Sequence, residues 1–311
     1  MHFCASAKMT TTAWGVYSLN RRKWNGVFGF LCVLPFLCVI FAFMIVPVFE
    51  VFRGSFFAQK LNGTQVFVGL KNYKSILGKD YFTEILLNTV IWVGATVILK
   101  QAFGLWLAMI MEKQIRGKRG FQLLTLLPWA TPWIVAAVLF KWLFDGLYGY
   151  INSFLYTLGL IAQPIDFLGS SDFSIWAVII ANVWTGIPFC AFTYLAVLNS
   201  IPKYLYEAAE LDGASALASF RYVTLPQIMP TMQLMTVLLS IWGINSFDFI
   251  YTMTEGGPVY ASETLVSHIY RLGFTLNNKG QANALSVIVF IIMLVLVLIY
   301  LYKGRSNEEH A

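Results

Sequence analysis

Charged side chains are scarce in this 311-residue chain: Asp, Glu, Lys and Arg together make up 12% of it, where an ordinary soluble domain carries about a quarter. That scarcity excludes a water-facing surface over most of the molecule. Cysteine is scarce too. Cys4, Cys32, Cys38 and Cys190 are the only four; the last three fall within long apolar runs and Cys4 in the N-terminal tail, so no disulfide framework or metal-ligand spacing emerges. The three histidines, His2, His268 and His310, supply no H-x-x-H pair and no Ser-His-Asp arrangement, so a membrane hydrolase or metal enzyme lacks its chemistry. No G-x-x-x-x-G-K-[ST] stretch occurs, so the chain cannot by itself cradle the phosphates of ATP. The net charge is +6, but no basic-aromatic platform accompanies it; the charge reads as a topology signal and an attraction to anionic lipid, not to nucleic acid.

What is abundant is apolar sequence. The hydrophobic fraction is 58% and the mean hydropathy +0.69, and runs of spanning length, about 20 residues, lie near 26–52, 84–111, 121–144, 174–199, 230–253 and 284–302. The fold class expected is an all-α integral membrane protein with six transmembrane helices: a tail over 1–25, a membrane domain over 26–302 and a second tail over 303–311. Arg21-Arg22-Lys23 precedes the first run like the start of a signal peptide, but the run is too long and lacks a small-x-small cleavage site, so it reads as a retained helix. Met9 is as good a start as Met1, which makes residues 1–8 dispensable on this reading. Cytoplasmic loops hold the excess of Lys and Arg. The dense group Lys113, Arg116, Lys118 and Arg119 sets both termini inside, against a counter-signal from Lys60, Lys71, Lys74 and Lys79.

One polar segment interrupts the apolar runs, the loop at 200–229. Pro202 can open a helix, Lys203 to Leu211 lacks Gly and Pro, and Gly213 supplies a break before a second short helix expected from Ser215 to Val223. Glu207-Ala208-Ala209, then Gly213, then Val223-Thr224-Leu225-Pro226 resembles the EAA loop of permease subunits in bacterial binding-protein-dependent ABC importers, with Val223 where the pattern has Ile. The resemblance extends to Leu127-Pro128-Trp129-Ala130-Thr131-Pro132, to Asn245-Ser246-Phe247-Asp248 and to Glu255-Gly256-Gly257-Pro258, which are similar to sugar-importer permeases. The Gly-Gly-Pro turn points to the F-type subunit of maltose transporters. Gly69-Leu70-Lys71-Asn72-Tyr73, a turn and short helix, is similar to their first external loop.

The resemblance implies a type I permease fold with a cytoplasmic coupling helix between helices 4 and 5, in a bacterial inner membrane, both termini cytoplasmic. It implies as partners a second permease of the G type, two cytoplasmic ATPase subunits that use ATP and Mg, and an external solute-binding protein; the chain itself binds no cofactor. In the loop, Ala208 and Ala209 keep one face small enough to enter a cleft, Glu207 and Glu210 offer charge to basic residues of the ATPase, and Asp212-Gly213 makes the turn, with Leu225 and Pro226 closing the motif.

Ionisable residues inside spans are candidate functional groups, because a charge at the bilayer centre costs at least ~3 kcal/mol. Lys100 and Asp248 qualify. Asn245, Asp248 and Thr252 have the spacing of one helical face, Trp242 continues it, and Tyr251 stands in the same stretch; Asn182 and Thr185, three apart, form a matching pair. Amide, carboxylate, hydroxyl and ring together suit a sugar, whose hydroxyls donate and accept while its C–H faces stack. Interhelical hydrogen bonding is the structural alternative. Lys100 has three readings: pairing with a carboxylate, snorkelling toward the cytoplasm, or meeting an anionic substrate. An ion-coupled secondary carrier with Lys100 and Asp248 as relay is the rival function. Pro35, Pro47, Pro128, Pro132 and Pro188 fall within the runs, and each frees backbone groups that neighbours or water must satisfy.

Overall fold

The computed structural model describes residues 30–59, 64–113 and 117–308, with side chains as far as 302. The expectations for 1–25, including Cys4, Met9 and Arg21 to Lys23, and for Lys60, Arg116 and His310 fall outside the described residues. The chain divides into two units, Met1–Arg53 and Gly54–Ala311. Five helices are long and apolar enough to cross a bilayer, six if a bent pair counts as one span.

The first unit contributes α1, Phe30–Gly54, in which no residue is buried. It passes Pro47 through a π turn at Phe41–Ile45, with the Val46 N–H bonded to the Phe41 carbonyl. A proline cannot return the usual bond to the residue four back, and one wider turn ahead of it absorbs the defect.

The second unit opens with a two-stranded antiparallel hairpin, β1 (Phe57–Gln59) and β2 (Gln65–Phe67), then the short helix α2, Lys71–Leu77. The turn and helix expected at Gly69 are there, with Gly69 at φ 59°. This segment is organised by buried polar contacts: Asn72 Nδ2 donates to the carbonyls of Ser55 (2.8 Å) and Phe57 (2.9 Å), and the Tyr73 hydroxyl bonds Ser55 Oγ at 2.7 Å.

Next come α3 (Asp80–Glu112), α4 (Lys118–Ala130), α5 (Trp133–Leu143), α6 (Tyr150–Thr157) and α7 (Ser174–Ser200). The run expected as one span at 121–144 is α4 and α5, bent by 92° between them. Thr131 and Pro132 cause the break: Pro132 has no N–H to give, and Thr131 is pushed to an extended conformation, ψ 126°. Pro188 leaves α7 unbroken.

α3 packs along α7 through small side chains, as membrane helices do. A methyl group at Gly104 would strike Cys190 Cβ, and Ala108, Cys190 and Ala191 are fully buried. Gln101 ties three helices together. Its Oε1 accepts from the Tyr194 hydroxyl of α7 (2.7 Å), and its Nε2 donates to Thr236 Oγ1 (3.1 Å).

The loop helix α8, Lys203–Leu211, leads to α9, Ala216–Ile244, which corrects two expectations. The helix expected to end at Val223 instead runs on as the start of the fifth span, passing Pro226 through a π turn at Phe220–Thr224 in which the Leu225 N–H bonds the Phe220 carbonyl. The span expected to last until 253 ends at Ile244. In its last turn the Gly243 carbonyl accepts from the buried Trp92 indole N–H at 2.9 Å and from the Ser246 N–H at 3.1 Å. A separate short helix, α10 (Asp248–Thr254), follows, then α11 (Leu265–Tyr270) and α12 (Lys279–Glu308). α12 continues past the boundary expected at 302.

Between α10 and α11 lies a buried charge cluster with no forewarning in the sequence. Glu263 accepts from Arg271 (3.0 Å) and contacts His268 Nδ1 (2.9 Å) through its two oxygens, with its side chain 1% exposed. Arg271 also lies over the Tyr260 ring, 4.9 Å from its centre. A buried carboxylate is tolerable only when paired and hydrogen-bonded in this way.

Candidate functional site

Two sites emerge, one on the loop and one inside the bundle. On the loop, Pro202 stands before α8 as expected, and the helix ends in a motif that needs Gly213. Gly213 has φ 75°; its N–H bonds the Glu210 carbonyl (3.0 Å), and the Ala214 N–H reaches back to Ala209 (2.9 Å). This pair of bonds is the Schellman closure, which wants a left-handed residue. Ser215 then caps α9, its Oγ accepting from the Ala218 N–H at 3.3 Å.

The helix has two faces. Leu205 and Tyr206 pack on the core shared by α3, α7 and α9, and the Tyr206 hydroxyl shares a hydrogen bond of 3.0 Å with the buried Thr224 Oγ1. Tyr204, Glu207, Ala208 and Leu211, spaced i, i+3, i+4 and i+7, form the exposed stripe, with Leu211 90% exposed. Glu210, Asp212 and Gly213 are exposed as well, Ala209 and Leu225 are half-buried and Pro226 is exposed. Among the described residues, Glu207, Glu210 and Asp212 have no ion-pair partner within the chain. Sequence reasoning found the charges and the small residues and missed Tyr204 and Leu211. Their apolar character, on the polar side of an amphipathic helix, was the available signal.

Inside the bundle, α3, α4, α5, α7, α9 and the segment after it enclose a cavity of about 160 Å³. Lys100, Asn182, Thr185, Trp242, Asn245 and Asp248 line it, so the structure brings together six of the residues expected along a substrate path or carrying charge within a span. Tyr251 and Thr252 are not among the lining residues. The single helical face expected for Asn245, Asp248 and Thr252 is interrupted, because the helix stops at Ile244 and a separate one starts at Asp248. Tyr251 instead stacks on Phe247 at 4.8 Å and meets Tyr270, and the Thr252 carbonyl accepts from Lys141 Nζ at 3.1 Å.

Three further rings were missed as lining groups: Trp129 and Trp133, which flank the α4–α5 break, and Phe189. Both indoles line the cavity on either side of the bend, and their i, i+4 spacing was the available signal. Phe189 contacts Trp242, with ring centres 5.2 Å apart. The lysine is held closely. Lys100 Nζ donates to Asn182 Oδ1 at 2.6 Å, and the Thr185 hydroxyl donates to the Asn182 carbonyl at 2.9 Å. Of the three readings of Lys100, pairing with a carboxylate fails, since none lies within ion-pair distance among the described residues. Snorkelling toward the loop at 200–229 fails too. The lysine stem lies against Gly186 and its head reaches Asn182, one turn farther from that loop.

No group of His, Cys, Asp and Glu among the described residues could hold a metal ion. The site offers amides, a carboxylate, a cation and aromatic rings, which is equipment for binding a polar ligand.

The chain is similar to known proteins along most of its length. Residues 101–304 match the family described as binding-protein-dependent transport system inner membrane component. The trehalose/maltose transport system permease protein MalF of Thermococcus litoralis is 34% identical over 261 residues, 84% of this chain and 88% of that protein. The sulfoquinovosyl glycerol transport system permease protein SmoG of Agrobacterium fabrum is 30% identical over 261 residues, 83% of this chain and 84% of that one. In fold, the chain matches a bacterial ABC transporter involved in the import of the acidic polysaccharide alginate, with a TM-score of 0.79 and 22% identity over 94% of this chain and 98% of that one. With the family match over 101–304 and a relative 34% identical along most of both chains, the chain belongs to the family of binding-protein-dependent transport system inner membrane components.

Proposed function

We propose that this chain is one of two permease subunits of an ATP-driven importer, forming half of the path for a carbohydrate or related polyol that an external binding protein delivers. The observation that carries the reading is the α8 stripe: Tyr204, Glu207, Ala208 and Leu211 are presented outward on a helix whose other face is anchored in the bundle. An exposed apolar patch rimmed by unpaired carboxylates calls for a protein partner. With no phosphate-binding motif in the chain, that partner is the pair of ATPase subunits, which bring ATP and Mg. α8 then lies on the cytoplasmic side, with both termini. A second permease of the G type completes the path.

The carbohydrate reading is supported by the cavity's rings and polar groups and by the relatives named for trehalose and maltose and for sulfoquinovosyl glycerol. Family membership favours an importer over an ion-coupled carrier, and Lys100 bonds to Asn182 and not to Asp248. Uptake per intact complex tests the path. Trp242→Ala and Asp248→Ala are expected to lower uptake at least tenfold with the complex still assembled, and Thr252→Ala to leave it near normal. Normal uptake in the first two variants would remove the cavity from the path.

A further inference from the structure

Lys100 is buried, 9% exposed, in the middle of a spanning helix, and among the described residues its hydrogen bond goes to a neutral amide oxygen. A cation so placed is costly unless a counter-charge reaches it. The site looks built to hold it there. A side chain at Gly186 would occupy the space of the lysine stem, and the Thr185–Asn182 bond steadies the turn that carries the acceptor. Asn182 Oδ1 already accepts from the ammonium while its two N–H groups remain to donate, and the three indoles in the lining are donors only. The lining around Lys100 is therefore rich in donors and positive. The one carboxylate in the lining, Asp248, is half-buried at the start of α10, where it can keep water or accept from ring hydroxyls.

From this we infer that the cavity selects a carbohydrate bearing an anionic group, a carboxylate, sulfonate or phosphate, which seats its charge on Lys100 and Asn182 with its hydroxyls toward Asp248. The inference rests on the carbohydrate reading of the cavity and adds the sign of the substrate's charge. A neutral sugar would take the place of water around the ammonium and bring no counter-charge, while a negative group seated against Asp248 would be repelled. Charge thus sets both selectivity and orientation.

The test uses the full chain in lipid nanodiscs with the subunits that co-purify with it and without the binding protein. Saturation-transfer difference NMR, suited to weak ligands, is run with D-glucuronate against D-glucose and D-galacturonate against D-galactose, pairs that differ only in a carboxylate for a hydroxymethyl. The acid of at least one pair is expected to bind about tenfold or more tightly than its neutral partner, the size of one charge-assisted hydrogen bond. Lys100→Met should abolish that preference and Lys100→Arg should keep it. Asn182→Asp, which leaves the lysine and gives it an internal counter-charge, should abolish it in a complex that still assembles; this variant keeps the test decisive if Lys100→Met fails to fold. Equal binding of acid and neutral sugar in the parent, with both signals lost in Trp242→Ala, would overturn the anion inference and leave the carbohydrate site standing. A preference that survives Asn182→Asp would also overturn it. If no sugar gives a signal that depends on Trp242, the carbohydrate reading itself fails and takes the inference with it.

Discussion

Single residues decide how the spans are held. Gln101 joins α3 to α7 and α9 inside an apolar medium, and its removal strands the buried Tyr194 hydroxyl. We expect Gln101→Leu to destabilise the purified protein by about 1–3 kcal/mol, the cost of an unmet buried polar group. Thermal unfolding in detergent should show a lowered midpoint, with most of the loss recovered when Tyr194→Phe is added. Full additivity of the two changes would show that the bond contributes nothing. Gly104→Leu should be worse, since Cys190 and the backbone behind it leave no room for a side chain; the yield of folded chain is the measure. Neither role could be read from the sequence. Gln101 and Gly104 look like any polar or small residue in a span until the facing helix is known, whereas Lys100 and Asp248 stand out by charge alone.

At the scale of elements, α8 depends on how it ends. Gly213→Ala asks an L-residue to adopt φ 75°, a cost of about 1–2 kcal/mol, and should weaken coupling in part. Gly213→Pro also removes the bond to Glu210 and should abolish uptake while the chain still inserts. If α8 is the proposed ATPase contact, Glu207→Lys should do the same by reversing the charge it offers, and the ATPase activity should then no longer respond to loaded binding protein. Replacing Leu211 by Asp is expected to reduce the ATPase that co-purifies with the chain severalfold; unchanged recovery would show that the exposed stripe is not the contact. Most of this element was legible, because Pro202, the Gly-free run and Gly213 are local signals that set helix ends without help from the rest of the fold. The second helix of the loop was misjudged at its far end, since a proline that should stop a helix was accommodated by a π turn. α1 does the same before Pro47.

For the whole molecule the prediction is topology. A cysteine placed at Glu207 should react with a membrane-impermeant thiol reagent only after the cells are opened, and cysteines at Lys71 and Gly257 should react in intact cells. Labelling of position 207 from outside would invert the arrangement and with it the proposed contact with the ATPase. The six spans were visible as hydropathy because each must bury or expose about 20 apolar residues to lipid whatever its neighbours do. Their interruptions were not visible in the same way. The 92° bend between α4 and α5 needs Pro132, but Pro188 sits in α7 without bending it, so a proline alone does not settle whether a span breaks.

By itself the sequence determined the fold class, the apolar runs that become spans, the ends of α8 and the residue types available for a binding cavity, since each depends on local composition, spacing or turn chemistry. Only the tertiary structure decided which of those residues meet. It ended α9 at Ile244, where Trp92 from another helix donates to the Gly243 carbonyl. That stop kept Asn245 and Asp248 at the cavity and left Tyr251 and Thr252 out of its lining. It also brought Trp129 and Trp133 to the cavity on either side of a bend, and laid Lys100 across Gly186 onto Asn182, 82 positions away in the chain. A contact between helices depends on packing and on where polar groups find partners in a medium without water, and no pattern within a single helix carries that information.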